Sequence, residues 1–421
     1  MNISNSSLKI KFADVFLFTS LFPFISFNLT NLDTQPFTFF VGTFGIIFSL
    51  CSFQINKVFR ISLILVLIAL FISSFSVEGA DRFVVRGLYN YLSIFFYLFI
   101  FSYLYKENLI NNKLVIFANY VYIFFAIVQI YFPSIIDFFV PSRVGNTFFQ
   151  GRGLSSLTPE PTHLAVTLTL ISFLLLINSG YKFRKNLFLH ILNLFSIIAI
   201  ARSTSILLIF AISLFLIFLF TIGKAFTYKY LKVFLSVAVL SSIGIAYSII
   251  AQTRIFRILN TINIDDFYSN IIILFMKDQS ISSRIQHLLI PFLAFFRDFG
   301  MPHAFNGLQA SAEFFSSELS AFQVLTKSTK FMSYMGDWVY SLGFFGIIAF
   351  LLIFAPLFRN KIVPNYLLII LLMLLTTSVP VSMPLVPAVI AALYYKNEYQ
   401  RDNQKNFESF QFSQNKNVMN K

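Results

Sequence analysis

The sequence predicts an all-α polytopic membrane protein, and three observations carry that expectation. Hydrophobic residues make up 57% of the 421 and charged residues only 11%, with a mean hydropathy of +0.78. An ordinary soluble domain is about 45–50% apolar and about 25% charged, so a soluble fold would lack the polar surface to hide this core. Apolar runs long enough to cross a bilayer, about 20 residues each, recur along almost the whole chain. The basic residues alternate between successive loops, as they do when lysine and arginine resist translocation. A net charge of +14 would otherwise invite nucleic acid as a partner, but 58 phenylalanines and this hydropathy argue against it.

Windows of about 19 residues place spans near 12–31, 37–54, 59–77, 88–105, 114–132, 163–179, 187–201, 204–222, 231–251, 338–357, 363–379 and 382–395. That is about twelve spans, the seventh and twelfth being the shortest. The first apolar stretch is followed by many others and reads as a first span, not a cleaved signal. The membrane domain covers 1–395, and 396–421 forms a polar cytoplasmic tail rich in Asn, Gln and Lys. Under this map 19 basic and 5 acidic residues fall on one side, among them Lys57, Arg60, Lys182, Arg184 and Lys185. The other side holds 12 of each sign, so the whole excess of +14 lies on the cytoplasmic side with both termini. No internal repeat and no pair of Gly/Pro-broken helices in matching halves is visible, which weakens a transporter reading.

Two outer loops are long, about 134–162 and about 252–336, and long loops in an economical membrane protein usually carry function. Within the second, Ser282–Phe299 spaces Ile285, Leu288, Leu289, Phe292 and Phe296 at helical intervals. The segment reads as a helix lying in the interface with its apolar face down, kinked at Pro291. The single cysteine, Cys51, excludes an intramolecular disulfide and a cysteine metal site.

The first outer loop ends Arg152-Gly-Leu-Ser-Ser-Leu-Thr-Pro-Glu-Pro-Thr-His163, with Arg143 upstream and Gly145, Gly151 and Gly153 between. Glycines let a backbone approach an anion closely. Thr158 is a predicted N-cap with Pro159 at the first helical position, which puts Glu160 in the first turn of the sixth span. There Glu160 either complements the helix dipole or acts as a general base. His163 is a further candidate. Arg202, in Ala201-Arg-Ser-Thr-Ser205, sits at a hairpin tip, where it either snorkels to headgroups or offers a fork to a lipid-linked phosphate. In the second loop Arg284 enters the amphipathic segment, and Asp298-Phe-Gly-Met-Pro-His303 leaves it. His303 lies in a loop and is split evenly between function and incident. Asp337 opens the tenth span and Trp338 reads as an interfacial anchor. No Gly-rich phosphate loop, HExxH motif or GxSxG elbow is present, and no outer Asp-x-Asp cluster, so an activated phosphate would be held by arginines with no metal or cofactor.

These residues resemble a family. Arg152-Gly-Leu-Ser-Ser-Leu-Thr-Pro-Glu160-Pro-Thr-His-Leu-Ala165 is similar to the Arg-Gly-Leu…Glu-Pro-Ser…Ala signature of Wzy-type O-antigen and capsular polysaccharide polymerases. Ala201-Arg202-Ser-Thr-Ser looks like the Ser-Arg-Thr/Ser element of that family and of O-antigen ligases. Arg284 and Gly300 are separated by 15 residues, a spacing reported for polymerase periplasmic loops. Leu342-Gly-Phe-Phe-Gly-Ile347 looks like the Leu-Gly-Leu-Ile-Gly element of the next helix. The loop after the fifth span lacks the Arg-x15-Gly pair, and Met332-Ser333 stands where a ligase would carry His-Asn, which disfavours the ligase.

The resemblance implies a GT-C-like architecture with a large periplasmic loop in a bacterial inner membrane. It implies an inverting, metal-independent glycosyltransferase that extends a glycan carried on undecaprenyl diphosphate, without cofactor or nucleic acid. A chain-length regulator and a flippase would be its partners. Arg202 and Arg284 would hold diphosphate charge, Arg143 and Arg152 the second lipid-linked substrate, and Asp337 would also bind substrate. Glu160 would be the base, with His303 second. The competing readings are a ligase that transfers glycan to lipid A core and a glycan flippase. A flippase would show short loops and charged residues within its spans.

Overall fold

The computed structural model describes residues 3–26, 34–51, 56–75, 82–140, 153–225, 279–303, 333–359, 363–377 and 379–395. The side chains of 3–6, 82–86, 204, 205, 208, 218–225, 279–285 and 288 are excepted. The ninth predicted span and the polar tail lie outside the described residues. The elements in order are α1 (Ile3–Leu21), α2 (Phe37–Ile47), α3 (Lys57–Ser74), α4 (Arg82–Lys106), α5 (Asn112–Tyr131), α6 (Pro133–Phe139) and α7 (Pro161–Asn178). They continue through α8 (Leu187–Phe195), α9 (Thr204–Ala225), α10 (Gln279–Arg297), α11 (Tyr334–Arg359), α12 (Asn365–Leu375) and α13 (Leu385–Tyr395).

The described residues are largely helical, with no strand among them, and six helical stretches are long and apolar enough to cross a membrane, one of them the run Phe183–Ala201 that contains α8. This is a helical membrane protein. The helix starts follow local chemistry. Asn56 caps α3 by accepting from the Val58 N–H at 3.0 Å, and Asn111 caps α5 by accepting from the Lys113 N–H at 3.0 Å. The first helix, Ile3–Leu21, begins before the predicted 12–31 and stops well short of it, because Pro23 and its turn follow directly.

Helix α7 is the centre of the bundle, buried on every side from Thr162 to Ile177 apart from Ser172. Its polar side chains are absorbed by its own backbone: the Thr167 and Thr169 hydroxyls donate to the carbonyls of His163 and Ala165 at 2.8 and 2.7 Å. Helices α5, α8 and α9 pack around it, while α3 packs along α11, where the Ser62 hydroxyl donates to the Ala349 carbonyl at 3.3 Å. Trp338 is 2% exposed, between Tyr91, Phe95, Tyr334 and Phe350. The expected interfacial anchor is thus a packing residue of the interior, since the start of α11 is enclosed by α4.

Helix α11 is not continuous. Gly343 adopts φ 56°, ψ −139° inside it, so the helical bond from the Phe344 N–H to the Tyr340 carbonyl is not made. The turn after α10 fills the gap: Phe344 N–H donates to the Gly300 carbonyl at 2.8 Å, and the Tyr340 carbonyl accepts from the His303 N–H at 3.2 Å. Gly300 itself has φ 74°. A Cβ on Gly343 would stand 2.2 Å from the Gly300 carbonyl oxygen, and the positive φ adds strain of about 1 kcal/mol or more for any other residue. Gly343→Ala therefore lowers the thermal unfolding midpoint in detergent, by about 2–4 kcal/mol of stability when strain and displaced loop are taken together. A midpoint equal to the parent protein's would show that the interlock is not needed.

Candidate functional site

The last turn of the first outer loop is tied to α5. Gln129 accepts from the backbone N–H groups of Ser155 and Ser156 at 3.0 and 2.8 Å, and its amide donates to the Ser155 hydroxyl at 3.0 Å. Ser156, in the left-handed region at φ 53°, donates its hydroxyl to the Tyr122 carbonyl at 2.6 Å. These bonds fix residues 153–160 before α7 begins.

The start of α7 differs from expectation. The helix begins at Pro161, Glu160 is its N-cap at φ −147°, ψ 152°, and the cap has no side-chain hydrogen bond. Glu160 precedes a proline, whose ring excludes the helical region for the residue before it, so Glu160 is extended and not in a first turn. Thr158 is not the cap: its hydroxyl lies 2.6 Å from the Ser155 carbonyl and 2.9 Å from that of Glu160, closing the preceding turn. Glu160 Oε2 is 4.0 Å from His163 Nδ1, and the His163 ring meets Phe24 edge-on at 5.4 Å.

Arg202 arrives at the same place by another irregularity. Helix α8 ends in a π-helical turn over Ser196–Ala201, and Arg202 follows in the left-handed region at φ 45°, ψ 35°. The widened turn frees the Ile200 carbonyl, which accepts from the Leu154 N–H at 2.9 Å. Only glycine fits at 153, where a Cβ would come within 1.7 Å of the Ala201 carbonyl oxygen. The Arg202 Nε donates to the Ala199 carbonyl at 3.2 Å, and the Ser203 hydroxyl lies 3.4 Å from that of Thr162. Glu160 and Arg202 are thus carried by adjoining turns at one end of the bundle. The expected hairpin tip is instead a packed junction.

His303 belongs to a second group. Its Nε2 lies 3.0 Å from Asp298 Oδ2, and its ring lies 5.1 Å from that of Tyr340. Asp298 accepts from Arg297 at 2.6 and 2.5 Å. Burial pulls the His303 imidazole below its usual range, with the Asp298 carboxylate opposing. The Arg297 guanidinium holds Asp298 below the ordinary carboxylate range against the effect of burial.

Asp337, in the first turn of α11, accepts from the Ser341 hydroxyl at 2.9 Å, and its carbonyl accepts from Tyr91 at 3.3 Å. Arg143 and Arg152 lie outside the described residues, as does the Arg284 side chain. Among the described residues no group of three or more His, Cys, Asp or Glu is arranged to hold a metal ion. Gln129 and Asp298 are the residues that sequence reasoning passed over. A glutamine inside an apolar span and an aspartate next to an arginine both ask for partners, and that was the available signal.

Two outcomes test this geometry. Gln129→Leu leaves two buried N–H groups without acceptors and costs about 2–5 kcal/mol, read as a lower unfolding midpoint and faster proteolysis after residue 152. Asp298→Asn removes the charge that favours the imidazolium, so His303 titrates at still lower pH, read by histidine-selective NMR. An unchanged titration would separate the two side chains. Compared with known proteins, the chain matches no family model, no curated protein and no solved structure.

Proposed function

We propose that the protein polymerises lipid-linked oligosaccharide repeat units at the periplasmic face of a bacterial inner membrane, through about twelve spans in a GT-C-like arrangement with both termini cytoplasmic. The observation that carries this reading is the meeting of Glu160, at the N-terminus of the buried helix α7, with the Arg202 junction through the Thr162–Ser203 contact. A carboxylate and a guanidinium held by adjoining turns are what glycosyl transfer from a diphosphate requires.

The growing glycan on undecaprenyl diphosphate is the donor. A hydroxyl of the non-reducing-end sugar of the next lipid-linked unit attacks the anomeric carbon, and the bond from that carbon to the phosphate oxygen breaks with inversion. The base takes the hydroxyl proton, and the diphosphate leaves with the bonding pair. Arg202 and Arg284 stabilise the charge that develops on the leaving group. Arg143 and Arg152 bind the second lipid-linked substrate, and Asp337 orients sugar hydroxyls. Glu160 is the first choice of base because its backbone is fixed by Pro161 and the Gln129 clamp. His303, beside the Asp298 carboxylate, is the second.

Complementation of a strain blocked in polymerisation tests the reading. The parent gene restores long-chain polysaccharide, whereas Glu160→Gln and Arg284→Ala, inserted at normal levels, leave single repeat units. Normal chain lengths from both variants would remove the site assignment, and failure of the parent gene would remove the function.

A further inference from the structure

We propose that residues 279–303 form a re-entrant hairpin whose tip, Phe299–Met301, sits among lipid acyl chains in the leaflet at the Tyr334 end of α11. The sequence alone reads this segment as a helix lying flat on the surface.

Direction comes first. Gly336, near the start of α11, lies against the His287 carbonyl and the Pro291 ring. Further along both chains, the Gly300 carbonyl accepts from the Phe344 N–H. As α10 advances from 287 to 300, its contact with α11 advances from 336 to 344, so the two run side by side in the same direction. The chain then turns back, since His303 meets Tyr340, one helical turn earlier.

Depth follows from α11. Its first arm, from Tyr334 at the outer edge of the headgroups to the break at Gly343, rises about 14 Å. Phe344 is ten residues in, about 15 Å along the axis, which is roughly 8–10 Å below the headgroup region.

The side chains agree with that depth. The face of α10 turned inward carries Gln286, His287, Ile290, Pro291 and Ala294, while Phe296 is 73% exposed, Phe299 95% and Met301 54%. These three continue the exposed stripe of Phe344, Leu351 and Phe358 along the spanning helix. Phe299 is also in the left-handed region, at φ 51°. A strained backbone that presents a whole phenylalanine to water would be doubly unfavourable, whereas hydrocarbon offsets it. The two charges that accompany the tip pair with each other, Arg297 with Asp298, and the Asp298 carboxylate also faces the His303 imidazole at 3.0 Å. Groups taken into an apolar medium must be so paired. Two of the backbone groups beside Gly343, the Phe344 N–H and the Tyr340 carbonyl, are met by the tip itself.

The test uses the full-length protein in phosphatidylcholine–phosphatidylglycerol vesicles. In a Cys51→Ser background, Phe296→Cys, Phe299→Cys and Met301→Cys are each labelled with an environment-sensitive fluorophore. Leu351→Cys serves as the lipid-facing reference and Glu107→Cys, in an exposed loop, as the aqueous one. The tip positions should be quenched by lipids spin-labelled on the acyl chain, several-fold more than Glu107→Cys, and resist aqueous iodide as Leu351→Cys does. Iodide quenching equal to that of Glu107→Cys would place the tip in water, and resistance to both quenchers would place it under protein. Either result overturns the proposal. Three labelled positions guard against a single variant that misfolds.

Discussion

In hydrocarbon a backbone carbonyl or amide with no partner costs several kcal/mol, so a helix that gives up one of its own bonds must find two replacements. Helix α11 gives up the bond between Tyr340 and Phe344, and the replacements come from Gly300 and His303. Everything at that side of the molecule depends on the exchange. Gly343 has to lack a Cβ because the Gly300 carbonyl occupies its place. Once Gly300 is fixed there, Asp298 and His303 flank it, and the carboxylate and imidazole come within 3.0 Å of each other. A broken helix and a paired acid and base are consequences of one hydrogen-bond substitution.

The same constraint operates at the Glu160 end with different parts. The π-helical turn before Arg202 exposes the Ile200 carbonyl, and the Leu154 N–H fills it. Gly153 is to this junction what Gly343 is to the other, a residue whose side chain would lie where a carbonyl must go. Two further amides, of Ser155 and Ser156, are met by one glutamine oxygen from α5. Each candidate base thus stands next to irregular backbone, and in each case neighbouring protein groups take up backbone bonds that the irregularity releases. That is the condition under which non-helical chain is tolerated at membrane depth.

What could be read from the sequence follows from which interactions are local. Hydropathy depends on neighbours along the chain, so the helical membrane class and the positions of α3, α4, α5 and α7 were legible within a few residues. The pre-proline exclusion at Glu160 is equally local: of two prolines that could open the helix, Pro161 does so, and Pro159 belongs to the preceding turn. By contrast, Trp338 turns inward because α4 lies beside it, and no pattern within α11 announces that neighbour. Gly343 and Gly300 could each be seen as glycines. That they share a contact is a fact about two segments 43 positions apart.

The pairing also explains how a histidine outside any helix acquires a defined position. Groups that act on a substrate must be held to within about half an ångström, and a long loop offers no such precision by itself. Here the loop borrows it from a transmembrane helix: two backbone hydrogen bonds to α11 fix the chain on either side of Met301, and the Asp298 carboxylate then stands 3.0 Å from the imidazole Nε2. Arg297 completes the set with two short bonds to the Asp298 oxygens, which hold that carboxyl below the ordinary carboxylate range. The position of His303 and its protonation are therefore governed by separable interactions, the first by glycine geometry and the second by burial, with the Asp298 carboxylate opposing it.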